Sequence, residues 1–334
     1  MKCLSKIDHV AIPNDIVVSL SKIYRHIGNN DYYIKSLGND INKVIEHTVE
    51  KDAYYLAKIL KLELSESRMR LIVTKDSSPR TKEEKTLYNL KEMLQSIQQK
   101  YQQFRLQSND LYNIINYVYS HYPKIKFSMS ETNRSVLQSQ GMKSKRLILD
   151  QMNDIIEKLI RTNGCEKINL YLHYFVDLVN LKPFESRNDT LSLLILYQLV
   201  LSSDLNAFKY VSFFEVLYKN YEDFEVELSK ASANWNEGYS QTTEFIRFLL
   251  NKFEIAYAST DRIIKDYNFD RINKKYENIE SVILSMQSIF TKEDIRKEYP
   301  YVSESTINRA LTSLRDQGYI KPLGKGRSAK WTKC

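Results

Sequence analysis

Residues 181–201 read LKPFESRNDTLSLLILYQLVL, a short polar interruption followed by the longest apolar run of the chain. The run from Leu191 to Leu201 is broken only by Ser192 and Gln198. It is too short to cross a membrane, because a spanning helix needs roughly 20 apolar residues. We therefore predict a buried core helix at Leu191–Leu201, with the polar residues Lys182–Asp189 as the loop that precedes it.

The rest of the chain is predicted to be mostly helical. Eight glycines and six prolines in 334 residues leave few breaks, and apolar residues recur at three- and four-residue steps. The predicted helices cover residues 14–27, 41–60, 65–69, 87–101, 111–119, 147–160, 167–179, 191–201, 211–218, 221–232, 242–264 and 270–289. Residues 74–85 are predicted to form an exposed loop, and residues 124–145 a hairpin or a loop.

The charge balance favours an anionic partner. The chain carries 49 Lys and Arg against 41 Asp and Glu, a net charge of +8, with a pI near 9.0. Nucleic acid is the first candidate for such a partner. This signal is weak alone, because AT-rich genomes encode many lysine-rich proteins without that role.

The cysteines and the start of the chain indicate a cytoplasmic protein without a metal site. The three cysteines, Cys3, Cys165 and Cys334, are far apart and have no metal-ligand spacing, nor do the five histidines. We expect reduced thiols. The first residues, MKCLSKIDHVAIP, lack an apolar segment long enough for a signal peptide, and we expect no contact with a membrane.

Two helix starts stand out near the carboxyl end. Thr291 is followed three residues later by Asp294, a capping-box variant, and Ser303 has the position of a second N-cap. The second helix places Ile307, Ala310, Leu311 and Leu314 on one face and is predicted to stop at Gly318. Residues 319–321 and 329–331 can then pair as strands around a basic turn.

The opposite face of that second helix has short or forked hydrogen-bonding side chains of the kind that read base edges. Thr291–Cys334 holds ten Lys or Arg and five Asp or Glu, a balance of 10 − 5 = +5. The pattern resembles the winged helix-turn-helix modules of bacterial regulators, which implies DNA binding; a protein–protein or dimerisation module is the alternative. The predicted DNA-binding residues are Ser305, Thr306, Asn308, Arg309 and Thr312 on the helix, and Lys325, Arg327 and Lys330 in the wing.

The stretch Leu181–Leu196 resembles the signature of the Fic (filamentation induced by cAMP) family, His-Pro-Phe-x-x-Gly-Asn-Gly-Arg. Residues 13–28 and 218–250 also look like the helices at the start of longer family members and after the motif. The resemblance implies an all-helical fold that transfers AMP from ATP to a target hydroxyl. The family histidine is the general base, and the Gly-Asn-Gly backbone and the arginine hold the phosphates with Mg²⁺.

The residues that carry this chemistry are replaced. Pro183, Phe184 and Asn188 match the motif, but Lys182 stands at the histidine position. A lysine near its ordinary pKa of about 10.4 is protonated at pH 7 and cannot accept a proton. Arg187 and Asp189 replace the two glycines, so that their side chains would crowd a loop that must approach phosphates closely, and Asp189 would also repel them. Thr190 replaces the phosphate-binding arginine. The alternative interpretation is a polar loop with a chance Pro-Phe pair.

A second departure concerns the self-inhibitory helix that longer Fic proteins carry, with the pattern Ser-x-x-x-Glu-Gly. In our alignment Leu56 replaces the serine and Leu60 the inhibitory glutamate. That glutamate pairs with the motif arginine, so the loss of both partners is consistent with the loss of ATP binding.

We therefore expect a mainly α protein, a Fic-like helical bundle followed by a C-terminal winged helix-turn-helix with a small β-wing. The predicted domains are 1–110, a helical region; 111–265, the degenerate Fic-like core; 266–289, a connecting helix; and 290–334, the DNA-binding domain. The expected function is a DNA-binding regulator that forms a homodimer on double-stranded DNA, with a catalytically inactive bundle that serves dimerisation or responds to a small-molecule or protein effector. No cofactor is expected.

Two alternatives stay open. The first is a protein adenylyltransferase with a non-standard motif, for which ATP and Mg²⁺ would be required. The second is a protein-interaction module of a mobile-element system.

Overall fold

The computed structural model describes residues 2–9, 11–103, 105–129, 144–162, 164–272, 275–300, 302–324 and 329–334. Over these ranges the chain forms fifteen α-helices and three short strands. It divides into two units. The first comprises Met1–Gly28 and Thr48–Tyr257, and the second comprises Asn29–His47 and Ala258–Cys334.

In the part of the first unit that the structure describes, the named secondary-structure elements are all helices. Leu4–His9 and Asn206–Lys209 are 3₁₀ helices. The α-helices are α1 (Asn14–Ile27), α4 (Glu66–Lys75), α5 (Lys82–Lys100), α6 (Ser108–Val118), α7 (Lys145–Arg161), α8 (Lys167–Leu181), α9 (Asn188–Ser202), α10 (Phe213–Tyr218) and α11 (Tyr221–Ser232), and the division of the chain falls within α3 (Ile41–Ile59) and α12 (Thr243–Ile272).

The core of this unit is the pair α8 and α9, which pack along each other. All residues of α9 from Thr190 to Leu201 are buried, so the prediction of a core helix there is confirmed. Helices α5 and α6 pack on α9, while α7, α11 and the N-terminal 3₁₀ helix pack on α8. The loop between α8 and α9 is therefore held by helices on both sides.

The polar loop predicted at residues 74–85 is shorter than expected. Helix α4 continues to Lys75, and α5 already begins at Lys82 because the Thr81 hydroxyl accepts the Glu84 N–H at 3.2 Å. The Arg68 guanidinium donates to both oxygens of the buried Glu84 carboxylate at 2.7 and 2.8 Å. A charged pair thus extends ordered structure into a segment whose composition is typical of a loop.

The second unit contains α2 (Asn30–Leu37), α13 (Lys275–Ser285), β1 (Ile289–Thr291), α14 (Lys292–Glu298), α15 (Glu304–Asp316), β2 (Ile320–Pro322) and β3 (Lys330–Lys333). The strands form an antiparallel sheet of order β1-β3-β2, in which Phe290 pairs with Trp331 and Lys321 with Thr332. Helix α13 packs against α15. Neither α2 nor β1 was predicted, since each is short and gains its stability from its neighbours.

The mainly α class is confirmed, with one small sheet near the carboxyl end. Among the helices that the structure describes, none combines the length and the apolar character that crossing a bilayer requires.

Candidate functional site

The two helices near the carboxyl end begin where the sequence predicts. Thr291 and Asp294 form a reciprocal capping box: the Asp294 N–H donates to the Thr291 hydroxyl at 3.2 Å, and the Thr291 N–H donates to the Asp294 carboxylate at 3.0 Å. Ser303 caps α15 by accepting the Thr306 N–H at 3.2 Å. These side chains satisfy backbone donors that a helix leaves unpaired, so they define where both helices start.

Helix α15 is amphipathic, and its apolar stripe is buried. Ile307, Ala310, Leu311 and Leu314 are all at most 1% exposed. Successive residues of an α-helix are turned by about 100°, which places this stripe opposite to the line through Ser305 and Thr312. The buried side chains fix which face of α15 meets solvent.

The solvent face carries four of the five predicted base-reading residues of the helix. Ser305, Asn308, Arg309 and Thr312 are exposed and lie on one side. We call these four residues the α15 stripe. Thr306 differs, because it is half-buried and its hydroxyl lies 2.7 Å from that of Ser303 within the cap. Thr306 therefore serves the helix end rather than the stripe.

Within the described ranges, neither Asn308 nor Arg309 has a hydrogen bond or ion pair through its side chain. The nearby Arg315 differs, since its guanidinium donates to Asp316 at 2.8 and 3.0 Å. The surface around the stripe is a shallow depression lined by residues of this single helix, namely Asn308, Arg309, Thr312, Ser313, Asp316 and Gln317. Small-molecule sites enclose most of their ligand, which a depression formed by a single helix cannot do. The depression is therefore better suited to a polymer that lies along the helix.

The sheet brings one further predicted residue to the surface. Lys330 is exposed at the start of β3, and the Leu323 N–H donates to its carbonyl at 2.7 Å, which closes the base of the turn. Gly318, which follows α15, has φ +78°, a conformation that glycine adopts without strain. Lys325 and Arg327 lie outside the described residues.

In the first unit, the loop between α8 and α9 has two strained positions. Lys182 ends α8 with φ 45° and ψ 70°, and Arg187 precedes α9 with φ 60° and ψ 24°. Both backbones are left-handed, which costs a residue with a Cβ roughly 1–2 kcal/mol. Arg187 stands where the Fic signature has a glycine. Its backbone has the left-handed conformation that favours glycine, although the residue itself is an arginine.

Asn188 holds this loop closed. Its side-chain oxygen accepts the Phe184 N–H at 3.0 Å, and its amide nitrogen donates to the Phe184 carbonyl at 2.8 Å. Phe184 is 2% exposed and anchors the loop in the core. Phe184 and Asn188, which match the Fic signature, thus hold the loop in its shape through these two hydrogen bonds. Neither side chain provides a proton acceptor for catalysis.

Two of the four replaced residues of the motif, Arg187 and Thr190, contact Tyr119, whereas Lys182 and Asp189 do not. The Arg187 guanidinium lies over the Tyr119 ring, 4.7 Å from its centroid, while Lys182 and Asp189 are exposed. Thr190, at the position of the signature's arginine, is 2% exposed, and its hydroxyl lies 2.9 Å from that of Tyr119. This contact holds the Thr190 side chain in the core beside Tyr119.

A neighbouring segment pairs with the loop. The Ser128 N–H donates to the Pro183 carbonyl at 2.8 Å, and the Glu185 N–H donates to the Lys126 carbonyl at 3.0 Å. The rings of Phe127 and Phe184 stack with centroids 4.6 Å apart. Residues 124–145 were predicted to form a hairpin or a loop, and their pairing with the α8–α9 loop was not predicted because nothing in the local pattern indicates it. Residues 130–143 lie outside the described part.

The two positions assigned to the self-inhibitory helix lie at the end of α3. Leu56 is fully buried and Leu60 is half-buried. One turn before Leu56, the buried Asp52 carboxylate accepts hydrogen bonds from Ser212, Phe214 and Tyr197. This end of α3 is thus packed as part of the core.

No group of three or more His, Cys, Asp or Glu side chains suited to a metal ion occurs in the ranges that the structure describes.

Comparison with known proteins identifies the fold. No family model and no curated protein matches the chain. The crystal structure of a Fic family protein from Desulfovibrio desulfuricans G20 is similar over 97% of both chains, with 13% identity and a TM-score of 0.57. A Fic domain containing signaling protein from Bacteroides thetaiotaomicron VPI-5482 is 12% identical, with a TM-score of 0.50 over 71% of this chain and 98% of that one.

These similarities show that the chain has a Fic-like fold, as the motif predicts. At such identities they concern the fold alone.

Proposed function

We propose that this chain is a DNA-binding regulatory protein whose residues Ile289–Cys334 form a winged helix-turn-helix. In this proposal α15 is the recognition helix, and the turn between β2 and β3 is the wing. The Fic-like unit supplies a scaffold that dimerises or responds to an effector, and it does not transfer AMP.

The observation that carries the proposal is the α15 stripe. Four polar side chains face solvent on the side opposite four buried apolar ones, and the two longest, Asn308 and Arg309, have no side-chain hydrogen bond or ion pair among the residues that the structure describes. Unpaired donors and acceptors on the exposed side of a second helix are what reading base edges in a major groove requires. A dimerisation face would instead present apolar side chains on this side.

Charge and topology support the same function. The segment Thr291–Cys334 has ten basic against five acidic residues, a balance of 10 − 5 = +5. The order β1, α14, α15, β2, β3 places a basic turn next to the helix in sequence. Exposed lysines such as Lys321 and Lys330 can then contact phosphates, which provide affinity without sequence information.

The geometry of the α8–α9 loop supports the absence of AMP transfer. The position of the family's base is an exposed lysine, and the position of its phosphate-binding arginine is a buried threonine bonded to Tyr119. The loop keeps its shape through Asn188 and Phe184. A helical bundle with these two replacements retains the Fic-like fold but lacks the general base and the phosphate-binding arginine of the Fic signature.

We predict that Arg309→Ala and Lys330→Ala weaken DNA binding in different ways. Arg309→Ala should cost roughly 1–3 kcal/mol on the preferred sequence and little on unrelated duplexes, because a bidentate contact to guanine is lost. Lys330→Ala should weaken binding to all duplexes alike and reduce the salt slope by about 1, because one phosphate contact is lost. Fluorescence anisotropy with full-length protein at several salt concentrations measures both effects.

The matched control for this experiment is Lys230→Ala, which removes an exposed lysine of α11 in the first unit. It should leave affinity and salt slope unchanged. If wild-type protein fails to bind a mixed pool of duplexes at low salt, around 50–100 mM as an order of magnitude, the proposal is wrong.

A second prediction concerns catalysis. Incubation of the chain with labelled ATP and Mg²⁺, alone and with candidate target proteins, should transfer no label. Label that appears on a protein and disappears in Lys182→Ala would show an active enzyme with an unusual motif and would contradict the proposal.

A further inference from the structure

The two long side chains of the α15 stripe differ in chemistry from their neighbours. Ser305 and Thr312 are short, so they let the helix backbone approach the floor of a groove. Asn308 and Arg309 are longer and have planar forked ends, both exposed and without a side-chain partner in the described ranges. Within the stripe, these two residues have the reach and the geometry for bidentate contacts to base edges.

The planar end of each side chain matches the hydrogen-bonding groups of one base. The guanidinium of arginine matches O6 and N7 of guanine, which both accept, and the amide of asparagine matches N6 and N7 of adenine, which donate and accept. Phosphate contacts would be the alternative use of Arg309. We favour the base contact, because Arg309 lies midway between Ser305 and Thr312 along the helix axis and other cations, such as Lys321 and Lys330, are exposed on the sheet and can contact the phosphates.

The helix geometry places the two contacts on different strands. Asn308 and Arg309 are neighbours in sequence, so they lie about 1.5 Å apart along the axis and about 100° apart around it. Ser305 and Thr312 lie between them in projection. A helix that points the centre of this stripe at the groove floor directs Asn308 towards one DNA strand and Arg309 towards the other.

The length of the stripe limits the site. From Ser305 to Thr312 the axis rises about 10 Å, which corresponds to roughly three steps of about 3.4 Å along DNA. At the far end Asp316 is exposed and ionic, paired with Arg315. A carboxylate there would repel phosphates, which favours contact through the amino-terminal half of α15.

We infer, on the basis of the proposed function, that α15 reads a guanine through Arg309 and an adenine through Asn308 on opposite strands of adjoining base pairs. On one strand this is a step of guanine and thymine in either order. The thymine then places its methyl group near the methyl group of Thr312, a favourable apolar contact.

The test is selection of bound duplexes from a random pool by the full chain. The selected sequences should share a G·C pair next to a T·A pair. Arg309→Ala should lose the preference for guanine by about 5- to 150-fold and keep that for adenine, and Asn308→Ala should do the reverse. Replacing the guanine with 7-deazaguanine should weaken wild type and leave Arg309→Ala unaffected, because that variant no longer uses the N7 atom.

Arg315→Ala is the matched control, since it removes an exposed arginine of the same helix that lies outside the stripe. It should leave both base preferences unchanged. Binding without base preference, or a guanine preference that survives in Arg309→Ala, overturns this inference while the proposed function stands. Absence of binding to every duplex overturns the proposed function itself.

Discussion

Replacing Asp177 with alanine is expected to lower the free energy of unfolding of the first unit by roughly 3–5 kcal/mol, because hydrogen bonds to a buried charge are worth about 1.5–3 kcal/mol each and are only partly additive. The Asp177 carboxylate is fully buried in α8. It accepts the backbone N–H groups of Lys2, Cys3 and Leu4 at 2.9–3.0 Å and the Trp235 indole N–H at 2.6 Å. Urea unfolding followed by circular dichroism measures the loss.

The reaction rate of the Cys3 thiol reports how Asp177→Ala affects the N-terminal segment. Its thiol is 5% exposed, and burial, followed by the nearby Asp177 carboxylate, raises its pKa to about 12. In a background where Cys165 and Cys334 are replaced by serine, Cys3 should react slowly with a thiol reagent. Asp177→Ala should accelerate that reaction strongly, because it frees the N-terminal segment and removes a negative charge.

Two further variants distinguish the loss of the negative charge from the loss of the hydrogen bonds at Asp177. Asp177→Asn removes the charge and keeps one acceptor oxygen, so it should fall between wild type and alanine in stability. Asp223→Ala removes an exposed carboxylate of α11 and should change neither property. A loss below about 1 kcal/mol for Asp177→Ala would mean that water replaces the carboxylate and that the N-terminal segment is not held as described.

The second large effect is a dependence of stability on pH through Asp52. This side chain is fully buried in α3, where its carboxylate accepts the Ser212 hydroxyl at 2.6 Å, the Phe214 N–H at 2.9 Å and the Tyr197 hydroxyl at 3.0 Å. Burial raises its pKa to about 7, against the opposing effect of these three hydrogen bonds, and Glu215 adds to the rise. The folded chain therefore favours the neutral acid.

The direction of the pH effect follows from that shift. In the unfolded chain Asp52 loses its proton near its ordinary pKa of 3.8, whereas in the folded chain it keeps the proton up to about 7. Its contribution to stability is thus complete below pH 3.8 and is lost as the pH rises to about 7. A shift of about 3 pH units corresponds to about 4 kcal/mol, of which roughly 3 kcal/mol falls between pH 5 and 8.

Comparison with Asp52→Asn isolates this contribution, because the other titrating groups are shared. The free energy of unfolding of wild type minus that of Asp52→Asn should decrease by roughly 3 kcal/mol from pH 5 to pH 8 in parallel urea titrations. Ser212→Ala, which removes a donor to the charged form, should make the decrease steeper. Parallel pH profiles for wild type and Asp52→Asn would show that the acid is ionised throughout.

Many elements of the fold could be predicted from local patterns. The core helix at Leu191–Leu201, the cap at Ser65, the capping box at Thr291 and the cap at Ser303 all lie where periodicity and capping residues place them. Each depends on residues at most a few positions apart. The exposed face of α15 was predictable for the same reason, since a buried stripe of period 3.6 defines the side opposite to it.

Other features depended on partners that are distant in sequence. The strand β1 forms because Phe290 meets Trp331 on β3, and α2 is short enough to require tertiary support. The pairing of Ser128 with Pro183 and the contact of Arg187 with Tyr119 were likewise invisible in the local pattern. They contribute to the shape of the α8–α9 loop.

The local sequence was thus sufficient to predict where these helices start and which of their faces are apolar, because propensity and capping act within one or two helical turns. The hydrogen-bond donors to the two buried carboxylates could be identified only from the tertiary structure. Asp177 receives hydrogen bonds from residues more than 170 positions away, and Asp52 from residues about 145–162 positions away. An isolated acidic residue in an apolar helix has no local signature of its partners, since the energy of burying it depends on donors that arrive only when distant segments pack together.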